Sequence, residues 1–530
     1  MSRPNPAALF GFFVALIVVI CGAALLKGGL YLGKHEGDTL HLLQIVLRMA
    51  DGQWPHLDFM TPIGLMAFAP IALFVKLGYG AGTSIMLAQT LVAIAFLPAV
   101  WWVAFSRMRG FLPYIFGLII FVLIGALVHG EAQRAVSISM HYNRWAWAAS
   151  FVAIAAAVIP NRGTPRPLAD GLVIGLAMSL LLLIKITYFA AFALPVLIAM
   201  LLRGNFRAIL VAAVSGLAVA GVITSLAGPQ YWQAYLGDIL AVARSDIRPN
   251  PSEPFGAVVG APAYLGASLV LIGGVILLRQ AREAVAGLVL LLLMPAFFYV
   301  TYQNFANDPQ WLLLLGVLLI AFVPQSELKN GLGWDMRTAL RVTAAIALAM
   351  AAPSFFNLAY SPFRQLNIDT SKYTPLLPRS ERSVDLFASK LRAMRTDIAL
   401  PMPIAGTGLE AYEDMVERPE PTVFQGETLA QCELSLGMSA WFDAVVRDLE
   451  DAGFAGDKRI FAADLLSGYW LFGDFKPLPG GAPWYYGGLP GIGAADYVLV
   501  PLCPIIPEVR RLILDEIQAR GITLTEVRRT

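Results

Sequence analysis

Apolar positions along the chain gather into long runs separated by short polar loops. The runs cover roughly 8–31, 83–105, 111–128, 144–160, 170–187, 188–202, 208–227, 258–278, 284–301, 310–324 and 338–353. About 20 helical residues cross a hydrocarbon core, so this pattern predicts about eleven transmembrane helices. A further apolar piece, 62–79, opens with Pro62, contains Lys76 and ends at Gly78-Tyr79-Gly80. It reads as an interfacial or re-entrant helix. Beyond 353 the pattern changes. Residues 459–463 and 497–501 read as strands, 508–519 as a helix and 522–527 as a final strand, giving an α/β domain over 354–530.

Composition fits this division. The 530 residues are 58% hydrophobic and only 14% charged, with a mean hydropathy of +0.67; soluble domains carry about 25% charged residues. A net charge of +2 selects no partner, and nothing points to nucleic acid. The first apolar run is too long for a signal-peptide core and no small-residue cleavage site follows, so it is expected to be retained. Basic residues occupy five loops, 107–109, 162–166, 203–207, 279–282 and 329–341. All five are cytoplasmic if the chain starts inside and 62–79 does not cross. Loops 32–62, 129–143, 228–257 and 302–309 and the C-terminal domain then lie outside. All five histidines (His35, His41, His56, His129, His141) fall in the first two of these loops. Cys432 and Cys503 share the outer domain, and in an oxidising compartment they are expected to form a disulfide.

The candidate chemistry sits in those loops. Asp38 opens a helix whose polar residues His41, Gln44, Arg48 and Asp51 share one face, with Leu40, Leu43 and Leu47 on another, as in a helix lying at the membrane surface. Asp38 is placed to cap that helix. Capping leaves Glu36 and Asp58 unexplained, and a carboxylate beside an apolar cavity suits a general base. In the second loop, Glu131 and Arg134 are three apart, and His141, Tyr142, Asn143 and Arg144 precede a helix. These residues either wall a site or form an interfacial belt with Trp145 and Trp147. Lys185, inside LLLIKITYF, either snorkels or serves a function. In TYQNFANDPQW, Asp308-Pro309 fits a helix start, while Gln303, Asn304 and Asn307 suit sugar hydroxyls. The aromatic, glycine-rich run Trp484 to Gly488 either holds a ligand or packs. No nucleotide or metal motif appears, and no histidine pair has the helical i, i+4 ligand spacing.

Glu36 and Asp38 just after the first helix, an amphipathic helix, then GQWPHLDF (52–59) and the Pro-led TPIG (61–64) resemble the GT-C glycosyltransferases. Protein O-mannosyltransferases and lipid A aminoarabinose transferases belong to that family. The resemblance implies a polytopic α-helical GT-C fold, with a catalytic membrane domain over 1–353, its first external loop at 32–82, and a periplasmic domain over 354–530. It implies an enzyme of the bacterial inner membrane that moves sugar from a polyprenyl-phosphate donor to an acceptor hydroxyl on a glycan, glycolipid or protein. Asp38 or Glu36 would be the base. His41, Arg48, His56, Asp58, Glu131, Arg134, His141, Tyr142, Asn143, Arg144, Lys185, Gln303, Asn304 and Asn307 would bind substrate, with the cations steadying the leaving phosphate. The donor carries the energy, so no cofactor or metal is expected. The acids of this family usually adjoin, whereas Gly37 separates them here. Two alternatives are a secondary transporter, which the absent internal repeat disfavours, and a non-catalytic scaffold for envelope-polysaccharide assembly.

Overall fold

The computed structural model describes residues 4–529 apart from 131–132, 246, 248–253, 304–307, 403–404 and 416–420. Asn5 caps α1 (Pro6–Leu25) by accepting from Ala7 and Ala8 N–H, and Pro6 occupies the position where a missing N–H is harmless. The chain then extends as β1 (Leu30–Leu32), so the first span is shorter than the apolar run suggested. Next come α2 (Glu36–Ala50), α3 (Ala69–Lys76) and α4 (Ala81–Arg107). With eight residues, α3 is about 12 Å long, too short to cross a bilayer.

Helices α5 (Leu112–Gly125), α6 (His141–Val158), α7 (Pro167–Ile184), α8 (Ile186–Leu202) and α9 (Phe206–Ala227) follow. Residues 228–257, expected as a loop, instead carry α10 (Gln230–Ala243) and the start of α11 (Phe255–Gly260). The membrane region ends with α12 (Pro262–Gln280), α13 (Ala284–Tyr302), α14 (Trp311–Ala321) and α15 (Met336–Leu366). The last of these continues past 353 because Pro353 and Pro362 are accommodated inside it. Among the described residues, seven helices are long and apolar enough to cross a membrane: α1, α4, α7, α9, α12, α13 and α15. Shorter apolar helices are α5, α8 and α14. Leu210, Val214, Leu217 and Leu226 of α9 are more than half exposed, as expected of side chains that meet lipid. This is a helical membrane protein.

Helix–helix contacts in lipid depend on close approach of small residues. On α7, a side chain at Gly171 would meet the Ala208 carbonyl of α9 at 2.5 Å, and one at Gly175 would meet Ala212 and Ser215. The central helix is α6, buried from Asn143 to Val158, where a run of alanines lets neighbours approach from every side.

The C-terminal part contains short strands. β2 (Tyr373–Pro375) pairs antiparallel and β1 pairs parallel with β3 (Leu386–Ser389), so the segment after the first helix supplies an edge of this C-terminal sheet. The chain continues through α16 (Lys390–Ala393), β4 (Asp397–Ala399), β5 (Val423–Phe424), β6 (Glu427–Thr428), β7 (Glu433–Leu436) and α17 (Met438–Asp451). β8 (Ile460–Ala462) and β9 (Tyr497–Leu499) form a parallel pair, and α18 (Pro507–Ala519) packs behind. The expected strand over 522–527 does not form. Ile522 and Leu524 pack inward, but the backbone finds no ladder partner. Cys432 and Cys503 are disulfide-bonded, with Cα atoms 4.8 Å apart. The buried Arg510 guanidinium donates to the carbonyls of Ala430, Pro501 and Leu502 beside this bond.

Candidate functional site

Helix α2 begins at Glu36, three residues earlier than a cap at Asp38 requires. Its N-cap is His35, in the left-handed region with φ 64°. Asp38 is therefore inside the first turn and does not cap. Residues i and i+2 on a helix point about 200° apart, so the two acids face opposite ways. Glu36 is buried toward the outer domain and accepts from Arg392 Nε at 2.8 Å. Asp38 faces a cleft.

That cleft holds about 470 Å³ of empty space, its mouth included. α2 supplies Asp38, His41 and Leu42, the Pro-led segment supplies Ile63 and Phe68, and the start of α6 supplies His141 and Tyr142. Trp484 and Tyr486 of the outer domain close it, with Trp484 edge-on to His41 at 5.6 Å. Tyr485, between them, is buried in the outer core. The aromatic run therefore both lines the cleft and packs.

The floor is a chain of polar side chains. Ser139 Oγ donates to Asp38 Oδ2 in a short hydrogen bond. His129 Nδ1 is 3.1 Å from Ser139 Oγ. A serine hydroxyl has one proton, already given to Asp38, so His129 is the donor here. His35 Nδ1 lies 2.9 Å from Ser137 Oγ, and the His35 and His129 rings are 5.0 Å apart. Burial pushes the His129 imidazole down to about 3, helped by nearby His35, Arg144 and Lys34, so it is neutral at physiological pH. Ser137 and Ser139 alternate with the buried Val136 and Ile138. That alternation in AVSISM was visible in the sequence but had not been used. Among the described residues, no group of three His, Cys, Asp or Glu stands close enough to hold a metal.

α6 starts at His141, so the HYNR cluster forms its first turn instead of preceding it. Its N-cap is Met140 with φ 51°, a second left-handed non-glycine residue beside the cleft. His141 Nε2 bonds the Ala67 carbonyl at 2.9 Å. Asn143 Oδ1 accepts from Lys185 Nζ at 3.3 Å, and that ammonium lies 5.8 Å from the Tyr142 ring. Lys185 is the extended residue that separates α7 from α8. Gly64 N–H donates to Ile184 O there at 2.9 Å, and a Cβ at Gly64 would strike Leu183 O.

Several expected site residues are engaged elsewhere. Arg144 is buried and neither snorkels nor lines the cleft. Its guanidinium donates to the carbonyls of Ala126, Val128 and His129, closing the end of α5. Arg48 donates to Leu478 O at 2.9 Å and stacks near Phe59 and Trp470. Burial lowers its guanidinium to about 10 against the pull of Asp58. Gln44 bonds Pro483 O and accepts from Ser467. The polar face of α2 thus docks on the C-terminal part and not on a membrane surface. His56 Nδ1–H donates to Asp238 of α10 at 2.8 Å, and Asp58 accepts from Trp54 N–H at 2.6 Å. Gln303 donates to Tyr299 Oη at 2.6 Å, and Arg134 is exposed within electrostatic reach of Arg364. Glu131, Asn304 and Asn307 lie outside the described residues.

Comparison with known proteins gives no match to any family model, curated protein or solved structure.

Proposed function

We propose that the protein is a GT-C type glycosyltransferase of a bacterial inner membrane that transfers sugar from a polyprenyl-phosphate donor to an acceptor hydroxyl at the outer face. The observation that carries this reading is Asp38, a carboxylate at the edge of an aromatic cleft, with one oxygen held by Ser139. It would take the acceptor proton as the acceptor oxygen bonds to the anomeric carbon. The bond to phosphate breaks, and polyprenyl phosphate leaves with the electron pair.

Three further observations support it. The first turns of α2 and α6 flank the cleft without side-chain caps, and helix N-termini favour anions. Lys185 adds a cation behind Tyr142. An apolar groove lined by Ala190, Leu194, Ile198, Leu292 and Pro295 runs between α8 and α13. At 1.5 Å per residue it begins about 8 Å along α8 from Lys185, a path for an isoprenoid chain whose phosphate rests near that ammonium. Trp484 and Tyr486 offer faces for a sugar ring. The same proposal has about eleven spans, the N-terminus inside and the outer domain in the periplasm.

The test is transfer itself. Purified protein in nanodiscs, given polyprenyl-linked sugars extracted from its own membranes, should release free polyprenyl phosphate detected by mass spectrometry. Absence of release with extracts that contain such lipids and candidate acceptors overturns the assignment.

A further inference from the structure

The cleft floor contains more order than a lone base needs. Asp38 does not stand against solvent: Ser139 gives it a proton-bearing hydroxyl, His129 gives Ser139 an N–H, and Arg144 holds the carbonyl of His129 itself. Ser139 is 2% exposed, so water does not substitute for it. Its backbone is fixed in turn, because Ser139 N–H donates to Ser137 Oγ at 3.1 Å. Each member has one role its chemistry permits, since a neutral imidazole that donates at Nδ1 cannot also accept there.

We propose that Ser139 and His129 are positioning residues for Asp38, forming a fixed hydroxyl–imidazole chain that locks one carboxylate oxygen and turns the other to the cleft. This rests on Asp38 being the base of the proposed transfer, but the chain has consequences of its own. A hydroxyl donating to a carboxylate favours the ionised form. The imidazole, being neutral, orients the hydroxyl without placing a competing charge beside the carboxylate. Facing the chain are Lys34 and His35 before α2, His41 one turn on, and His141, Tyr142 and Arg144 on α6. Removing the Ser139 hydroxyl leaves all of these in place and deletes its two hydrogen bonds, to Asp38 and from His129.

Dicyclohexylcarbodiimide labels protonated carboxyls, so the pH midpoint of Asp38 labelling, read by peptide mass spectrometry, reports this bond without any substrate. Ser139→Ala should move the midpoint up, because the hydroxyl no longer donates to the carboxylate. Ser139→Thr keeps a hydroxyl and should hold the midpoint near that of the wild type. His129→Asn, whose amide N–H replaces Nδ1–H, should shift it less than His129→Leu. If Ser139→Ala and His129→Leu both leave the midpoint in place, the chain does not hold Asp38 and the proposal falls. In the transfer assay, Ser139→Ala should lower kcat about tenfold or more with KM nearly unchanged. A shifted midpoint with normal turnover supports the chain and overturns Asp38 as the base, so the two failures are distinguishable. Because the His129 pair tests the same chain from its other end, an unstable Ser139→Ala does not spoil the measurement.

Discussion

The cleft floor and the seam beneath the C-terminal part both draw on helix α2, yet their polar groups end differently. On the floor, Asp38 receives a bond from a side-chain hydroxyl and lines the cleft. Along the seam, Gln44 and Arg48 find backbone carbonyls of the C-terminal part, while nearby His56 finds Asp238 of α10 and Asp58 closes its own turn. A carbonyl partner buried in a joint is a structural connection, because breaking it strands a polar group. A side chain held on one side and open on the other can do chemistry. Density of polar residues does not separate these cases; the kind of partner does.

The largest effect should come from the floor. Asp38→Asn keeps size and hydrogen-bonding capacity but loses the basic lone pair, so transfer should fall by about 100- to 10,000-fold. Since Asp38 does not cap α2, the thermal midpoint should move little. Equal loss of stability and activity would erase the contrast with the seam. Arg48→Ala should do the opposite. It strands Leu478 O and empties a packed site, costing about 3 kcal/mol of stability, while protein that remains folded keeps its turnover. Arg48→Met retains the stem and should be milder. Thermal unfolding followed by Trp fluorescence, with turnover corrected for folded fraction, decides between them.

A buried acid in the outer domain sharpens the contrast through pH. Burial pushes the Asp464 carboxyl up to about 7, although the N–H groups of Leu465, Ile505 and Ile506 and nearby Arg510 favour its charged form. The folded domain therefore holds a proton that the unfolded chain releases above about pH 4. This contribution to stability is complete below that pH and is lost as pH rises through about 7. The buried neutral His129 acts with the opposite sign below about pH 6.5, so the reading is the difference between wild type and Asp464→Asn. The wild-type midpoint minus that of the variant should fall between pH 5 and 8. A difference that rises over that interval would mean the backbone donors dominate.

These partners explain which features the sequence exposed. Hydrophobic runs located α4 to α9 and α12 to α14 to within a few residues because lipid demands continuous apolar faces, but they missed α10 and the last turns of α15. The disulfide was legible from compartment and number alone. What stayed hidden depended on contacts across long separations. β1 forms only because β3 lies beside it, more than 350 residues later, and the polar face of α2 looks like a surface face until the outer domain covers it. Arg144 read as a site-wall or membrane-belt residue because nothing local announces that its carbonyl partners end the preceding helix. Ser139 was overlooked because serine carries no charge to draw the eye, although its alternation with apolar neighbours was present.

The smallest expected effect separates the two acids. Glu36 and Asp38 look equivalent in sequence, and the intervening Gly37 hides which one faces the cleft. The helix decides by rotation: Glu36 is turned to Arg392, whose side chain is 36% exposed, and lies away from the cleft residues. Glu36→Gln keeps an oxygen to accept from Arg392 Nε and removes only the charge. Water reaches the arginine and screens the pair, so the loss should be about 1 kcal/mol or less. Turnover should stay within about twofold, with unchanged KM. Raising ionic strength should narrow even the stability difference, because screening already weakens the wild-type pair. A collapse of transfer in Glu36→Gln, with Asp38→Asn active, would reverse the roles and move the chemistry from the cleft to the seam.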